Sequence, residues 1–532
     1  MSKQQGLSLR EAVERSAERE TAYEVERRDR RAFLADVGRL ALSAGFAAAG
    51  SAVSATSAVA ARRGSSVNVG IVGAGLAGLA CADRLAAADI RATVYEASGR
   101  VGGRQWSLRG FFPGQVAERG GEFIDNLHKT MLGYAKRFRL AREDVTKIPG
   151  EVIYFLLGRH HPEFEVVEEF REFVGIMHQD LRRLSRQPTA DDFNDHDLRL
   201  DNTSLLEYLN GQNAAGVAAG AIAKAAIIEA YEAEYGLDAA EQSALNFLLF
   251  IHADRRSKFT PFGIFSDERY HLVDGNDAIA THLAAGLPGP IEFGLSLTRV
   301  RRAADGRIEL TLWDGAQHIT RAHDIVVLTI PFSVLRHVEL DASLALPPEK
   351  LFAINELGYG TNAKMMVGFS SKPWRALNGN GASYADLPDA QATWETNPTR
   401  STDSRAILTD YSSAARGARL ATPNLQMEVE RFLSDLHMVF PGASAGAAGV
   451  PGARLAHLEP WPSNPLTLGS YTCYKPGQFT TIAGREGTPV GNLFFAGEHT
   501  NSFYEFQGFM EGAALSGLHA AKAVLAALSK AA

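Results

Sequence analysis

Residues 69–96 of this 532-residue chain spell one supersecondary unit. A short apolar strand, Val69-Gly-Ile-Val72, enters the glycine turn Gly73-x-Gly75-x-x-Gly78, an alanine-rich helix follows, and a second strand closes on Glu96. Few folds accommodate that order. Gly73 permits the tight turn, Gly75 lets the backbone approach a pyrophosphate, and Gly78 lets helix and strand pack closely. The helix N-terminus adds unpaired N–H groups and the positive end of a dipole. Glu96 stands about twenty residues on, where a ribose hydroxyl needs an acceptor. The unit predicts a Rossmann-type start and an adenine dinucleotide, without saying which one or what reaction follows.

Two more glycine loops come next. Arg100-Val-Gly102-Gly103-Arg104 sets two glycines between arginines, so that backbone and guanidinium meet a diphosphate together. Glu118-Arg-Gly120-Gly121-Glu122-Phe123-Ile124-Asp125 carries another pair. Near the C-terminus, Asn492-Leu-Phe-Phe-Ala-Gly-Glu-His-Thr500 reads as a buried strand entering a loop, and 508–528 as a long amphipathic helix. A dinucleotide domain drawn from both ends of the chain implies an inserted middle. The expected fold class is therefore α/β: a discontinuous Rossmann-type cofactor domain (66–125, 265–335 and 455–532), a mainly helical insertion (126–264), and a mixed α+β substrate-binding domain (336–454). Within these, 214–256 reads as helix interrupted at Gly236-Leu-Asp238, and 201–209 as a capped amphipathic turn. Strand character marks 297–300, 308–312, 324–330, 363–370 and 405–411.

Composition narrows the partners. The balance of 54 basic against 61 acidic residues gives a net charge of −7, which argues against a nucleic-acid surface. Two cysteines, Cys81 and Cys473, exclude a disulfide framework. Residues 1–60 read as an address. Arg30-Arg31-Ala-Phe-Leu34 precedes an uncharged Ala/Ser/Gly-rich run, and Ala58-Val-Ala60 offers a small-x-small cleavage site. This resembles a bacterial twin-arginine signal and predicts export to the periplasm or the exterior. The run is too weakly apolar for a stable membrane span. His160-His161 beside Glu163 and Glu165 lacks metal-ligand spacing and reads as a solvated hairpin tip, so no metal is expected.

The N-terminal unit with Glu96 and Arg104, together with Phe495-Ala-Gly497-Glu498 and Gly508-Phe509-Met510-Glu-Gly512, resembles the FAD-dependent amine oxidases, a group of monoamine, polyamine and L-amino-acid oxidases. The resemblance spans nearly everything after residue 66 and implies FAD rather than NAD. It further implies that Gly73, Gly75, Gly78, Glu96, Gly103, Arg104, Gly497, Glu498 and Met510 hold the cofactor, with the Val300 backbone against adenine. Lys364 would hold a water beside flavin N5 and assist reoxidation. Tyr471 and Phe509 would flank the amine; on their own they read as core aromatics. Ser470 stands where monoamine oxidases carry a flavin-tethering cysteine, so the FAD is expected to be non-covalent.

The implied reaction is oxidative deamination of a primary amine or L-amino acid by hydride transfer to flavin N5, with molecular oxygen as acceptor and hydrogen peroxide as product. A dehydrogenase passing electrons to a quinone, a polyamine oxidase, a carbon–carbon desaturase and a non-catalytic flavoprotein are the alternatives. For an amino-acid substrate the carboxylate partner is open. Phe123 replaces the arginine of the snake-venom type, and Arg255, Arg256 or Arg405 remain. His128 is placed at the substrate entrance, and a homodimer is left open.

Overall fold

The computed structural model describes residues 67–251, 253, 259, 261, 266–398 and 403–531. The proposed signal region, Arg255 and Arg256 lie outside the described residues.

The strand Val69–Val72 is buried at every position and pairs in parallel with Ala92–Glu96 on one side and Ile325–Leu328 on the other. Such a continuous apolar run suits a strand covered on both faces, as parallel sheets require. Leu493–Phe495 and Ile291–Phe293 complete the five-stranded parallel sheet, in the order 493–495, 325–328, 69–72, 92–96, 291–293. Helix Leu76–Ala86 covers it together with the C-terminal helix Met510–Ala531. The two helices touch backbone to backbone: a Cβ on Gly517 would stand 2.1 Å from the Ala77 carbonyl. By length and composition Met510–Lys530 could cross a membrane, yet Ala514, Ala520, Ala521 and Val524 are buried in this core.

A four-stranded sheet (318–323, 308–313, 296–302, 339–340) flanks this core, its His323 taking the Tyr95 hydroxyl at 3.0 Å. The largest sheet has seven strands, in the order Ala456–Pro460, Ala363–Phe369, Ala406–Ser412, Ala392–Glu395, Gly379–Ala385, Glu151–Leu156, Arg159–His161. Its strand Ala363–Phe369 is buried throughout and packs with helix Leu425–Val439.

The expected segment limits do not follow sheet membership. The hairpin 151–161, within the span read as helical, completes the large sheet, because Val-Ile-Tyr-Phe-Leu pairs in parallel with Gly379–Ala385. Residues 456–460, grouped with the cofactor domain, pair instead with Ala363–Val367. Both strands are too short for periodicity to assign. The hairpin tip also differs from expectation. His161 is buried, bonded to Glu165 at 2.8 Å and to the Leu156 carbonyl at 3.0 Å. The other described residues of 126–264 include the helices Glu163–Leu181, Asp195–Asp201, Leu205–Leu209 with a Ser204–Glu207 capping box, Ala221–Tyr235 and Ala244–Phe250, and the short strand Arg142–Asp144 paired with Tyr270–Leu272. Gly236 ends the fourth of these in a left-handed conformation, φ 76°.

Candidate active site

A cavity of about 710 Å³ runs between the parallel sheet and the large sheet, within the roughly 300–1,000 Å³ usual for ligand sites. Its wall includes Gly73, Gly75, Glu96, Gly103, Arg104, Lys364, Tyr471, Gly497, Glu498, Phe509 and Met510.

At the glycine-turn end, Gly73 takes φ 106°, and a side chain there would strike Thr329 Oγ1. A Cβ on Gly78 would lie 2.0 Å from the Gly73 carbonyl, so Gly78 acts from behind the wall. A Cβ on Gly75 would meet nothing within 4 Å and would stand in the cavity. The second glycine loop packs on the first: Gly102 donates to the Ala74 carbonyl at 2.9 Å. Helix Leu76–Ala86 starts here without a side-chain cap, which leaves its first N–H groups for a ligand. Glu96 accepts from Ala74 N at 2.8 Å and from Ser98 N and Oγ at 2.8 and 2.7 Å.

Further along, Arg104 Nη1 bonds Glu498 Oε1 at 2.8 Å and the Ser470 carbonyl at 2.6 Å. The other Glu498 oxygen takes Thr472 Oγ1 at 2.9 Å. Gln105 Oε1 is buried without a partner beside the cavity, and the C-terminal helix begins there at Met510. An uncapped helix start, a glycine cradle and an orphaned acceptor fit a large phosphate-bearing cofactor.

Val300 is a correction. It is buried in the strand Ser296–Arg302, and its carbonyl accepts from Asp341 N at 3.0 Å. A bulge between Leu297 and Arg299 shifts the register, and Leu295, Ser296 and Leu297 reach the cavity instead.

Lys364 lies in the fully buried strand. Its ammonium donates to Glu122 Oε2 and the Gly120 carbonyl at 2.8 Å, and to the Glu118 carbonyl at 3.3 Å. It also lies 5.3 and 5.6 Å from the ring centres of Trp394 and Tyr411. All three ammonium donors are engaged, so a water would have to displace the longest bond. The second Glu122 oxygen takes Trp394 Nε1 at 2.9 Å. Tyr411 and Tyr471 share a hydroxyl hydrogen bond of 2.9 Å, and Tyr471 also donates to the Glu234 carbonyl. Phe509 packs on His128 and Phe250, at 5.4 and 6.3 Å between ring centroids. Lys364, Glu122, Trp394, Tyr411 and Tyr471 thus form one connected wall.

The profile of the flavin-containing amine oxidoreductases matches residues 76–525. The chain belongs to that family. YobN of Bacillus subtilis (strain 168) is 25% identical over 475 residues, 85% of this chain and 93% of its own length. The L-amino-acid oxidase of Bungarus fasciatus is 22% identical, covering 87% of each chain. Among solved structures, cyclohexylamine oxidase from Brevibacterium oxydans IH-35A superposes with a TM-score of 0.71 at 19% identity, covering 87% of this chain and all of that one. Putrescine oxidase bound to putrescine gives 0.69 at 19% identity, covering 86% and 99%. The protein is accordingly an oxidoreductase of CH–NH2 donors that uses a flavin, on a Rossmann-type fold with a substrate domain.

For a member of this family, several residues had no sequence signal pointing to them. Glu122 could have been found as the acid flanking the second glycine pair, whereas Trp394 and Tyr411 stand on strands without a motif. Arg405 does not reach the cavity; it is held by Asp403, both bonds 3.0 Å, and lies over Phe112. His128 is fully buried at the start of helix Lys129–Arg137 rather than at an entrance, and burial pushes its imidazole down to about 3. Cys473 is buried outside the cavity wall, its thiol pushed well up by burial. Ser470, at the tethering position, bonds Asn362.

Proposed function

We propose that the chain binds FAD non-covalently and oxidises a primary amine or L-amino acid. The products would be an imine, hydrolysed to a carbonyl compound and ammonia, and hydrogen peroxide from molecular oxygen. The observation that carries this reading is that one cavity is shared by both glycine loops and by Lys364, Tyr471 and Phe509. Bound FAD would supply the hydride acceptor and the route for electrons to oxygen.

The chain's own residues do the rest. Gly73, Gly75, Gly103 and the helix starting at Leu76 would hold the diphosphate, Glu96 the ribose, and Arg104 with Glu498 the linker toward the ring. The N-terminus of the helix at Met510 would stabilise negative charge on the reduced ring. Leu295 to Leu297, rather than Val300, would face the adenine. Tyr471, Phe509, Trp394 and Tyr411 would exclude water around the amine. Deprotonating an amine of pKa about 10 at pH 7 costs roughly 4 kcal/mol, and a dry aromatic pocket that favours the neutral form offsets part of it. Lys364 would assist reoxidation.

Ser470 bonded to Asn362 and Cys473 outside the wall support non-covalent binding. The L-amino-acid oxidase relative and the two amine oxidase folds support the two substrate classes. In the same reading, residues 1–60 direct export.

The test has two parts. Acid precipitation should release all flavin into the supernatant; flavin left on the pellet would contradict non-covalent binding. A panel of amines and L-amino acids should then bleach the flavin anaerobically and yield peroxide on readmitting oxygen. Turnover only with an added dye acceptor would favour a dehydrogenase.

A further inference from the structure

Two buried ion pairs share the loop around Gly120 and Gly121. One joins Lys364 to Glu122 at the cavity wall. The other joins Arg119 to Glu459, with Nε and Nη2 of the guanidinium both donating to one carboxylate oxygen. The side chains of Arg119 and Glu459 are 17% and 5% exposed, and both stand behind the wall.

Arg119 is clamped along its length. Its N–H donates to the Trp106 carbonyl at 2.8 Å, its carbonyl accepts from Trp461 Nε1 at 2.8 Å, and its guanidinium lies 3.0 Å from the centre of the Trp106 ring. The two carbonyls that hold Lys364 belong to Glu118 and Gly120, the residues on either side of Arg119.

The pairs are close enough to exchange partners. Lys364 stands directly opposite Glu459 in the antiparallel pairing of Ala363–Val367 with Ala456–Pro460. Residues opposed in this way project from the same face of the sheet, with Cβ atoms about 4.5–5.5 Å apart. A lysine side chain spans that gap, so Glu459 is an alternative acceptor for the ammonium. Arg119 wins the carboxylate because its planar fork suits a carboxylate better than a point charge does, and because a guanidinium stacks on an aromatic face.

Without Arg119, Glu459 would be a buried charge stripped of its main partner, a strongly destabilising state. His457 Nε2 stands 3.6 Å away, and Arg100 also attracts Glu459 but is tied to the Val101 and Gly103 carbonyls. Lys364, on a flexible chain, is the cation that can swing across. Its ammonium would then leave Glu122 and Gly120, both of which line the cavity.

We infer that Arg119 is a positioning residue: by sequestering Glu459 it keeps the Lys364 ammonium on Glu122 and the Gly120 carbonyl, at the cavity wall. The sorting of these charges is a property of the fold; its effect on turnover rests on the reading in which Lys364 assists reoxidation.

The test reads the two apart on the holoenzyme. Glu122→Gln strands the ammonium in wild type and should lower Tm by about 3–5 °C. In Arg119→Met the ammonium has already moved to Glu459, so the same substitution should lower Tm by less than half as much. In stopped flow, Arg119→Met should slow reoxidation by oxygen at least ~10-fold, since misplacing a positioned group by ~1 Å can cost ~100-fold. Arg119→Lys keeps a charge for Glu459, and Arg119→Met/Glu459→Gln removes the stranded acid, so each should return most of the lost rate. Arg119→Gln, which keeps donors but no charge, carries the same expectations if Arg119→Met does not fold.

Equal Tm losses in the two backgrounds overturn the inference, as does wild-type reoxidation in Arg119→Met while Lys364→Met is slow. A double variant as slow as Arg119→Met overturns it too, because Arg119 would then act other than through Glu459. Wild-type reoxidation in Lys364→Met would instead remove the chemical role of Lys364, and the Tm comparison would still decide the sorting.

Discussion

Replacing Lys364 by methionine separates two roles that the structure packs into one side chain. The ammonium and Glu122 form a buried pair, with side chains 6% and 2% exposed, and the ammonium also satisfies two backbone carbonyls. Methionine keeps the volume but leaves Glu122 charged with only Trp394. Breaking one side of a buried pair costs about 3–5 kcal/mol. Unfolding entropy of roughly 2.1 cal/mol/K per residue over roughly 450 described residues gives ~0.9 kcal/mol/K, so Tm should fall by about 3–5 °C. Lys364→Met/Glu122→Gln removes the stranded charge and should recover more than half of that loss.

Chemistry follows the other way. If Lys364 assists reoxidation, both variants should react with oxygen at least ~100-fold more slowly, the lower range for a positioned proton-transfer group. Scanning calorimetry and stopped-flow mixing of reduced enzyme with oxygen read the two effects apart. Wild-type reoxidation in Lys364→Met, or a rate that returns together with Tm in the double variant, would refute a chemical role and leave Lys364 as a structural ion-pair partner.

Three further outcomes are expected. Gly75→Val projects into open cavity and should abolish flavin binding, read as the ratio of absorbance near 450 nm to 280 nm, while apoprotein Tm moves little. Gly78→Val should instead depress soluble yield, because its Cβ meets the Gly73 carbonyl. Arg104→Ala frees Glu498 and the Ser470 carbonyl and should weaken flavin binding at least ~10-fold in a fluorescence titration. Burial pushes Glu118 up to about 8 and Asp125 to about 7. An acid raised above its unfolded value stabilises fully at low pH and loses that contribution as pH climbs through its folded pKa. Tm should therefore fall from about pH 5 to about pH 8, between the unfolded and folded values, and Glu118→Gln should flatten the fall.

The first strand–helix–strand unit was legible because its signals are local. Gly73, Gly75, Gly78 and Glu96 fall within that unit, whose strands and helix form where the residue pattern puts them. Leu297 was missed because a bulge, which leaves no trace in residue type, decides which side of the strand meets the cavity. Lys364 stood out as a charge in an apolar run, but its partner Glu122 lies 242 residues away in sequence, and only folding joins them. Trp394 and Tyr411 sit on ordinary strands, and no spacing rule links them.

The parallel sheet has a consequence for how the protein is made. Val69–Val72 leaves the ribosome early, but one neighbour in the sheet, Ile325–Leu328, is roughly 250 residues behind it, a wait of about 10–50 s at ordinary elongation rates. The outer strand Leu493–Phe495 and the helix from Met510 come last of all. Until then the glycine turn exists as sequence without a pocket, its apolar strand open to the wrong partners. Flavin capture is thus tied to completion of the chain, and a product truncated before residue 490 would keep the whole N-terminal fingerprint yet hold no cofactor.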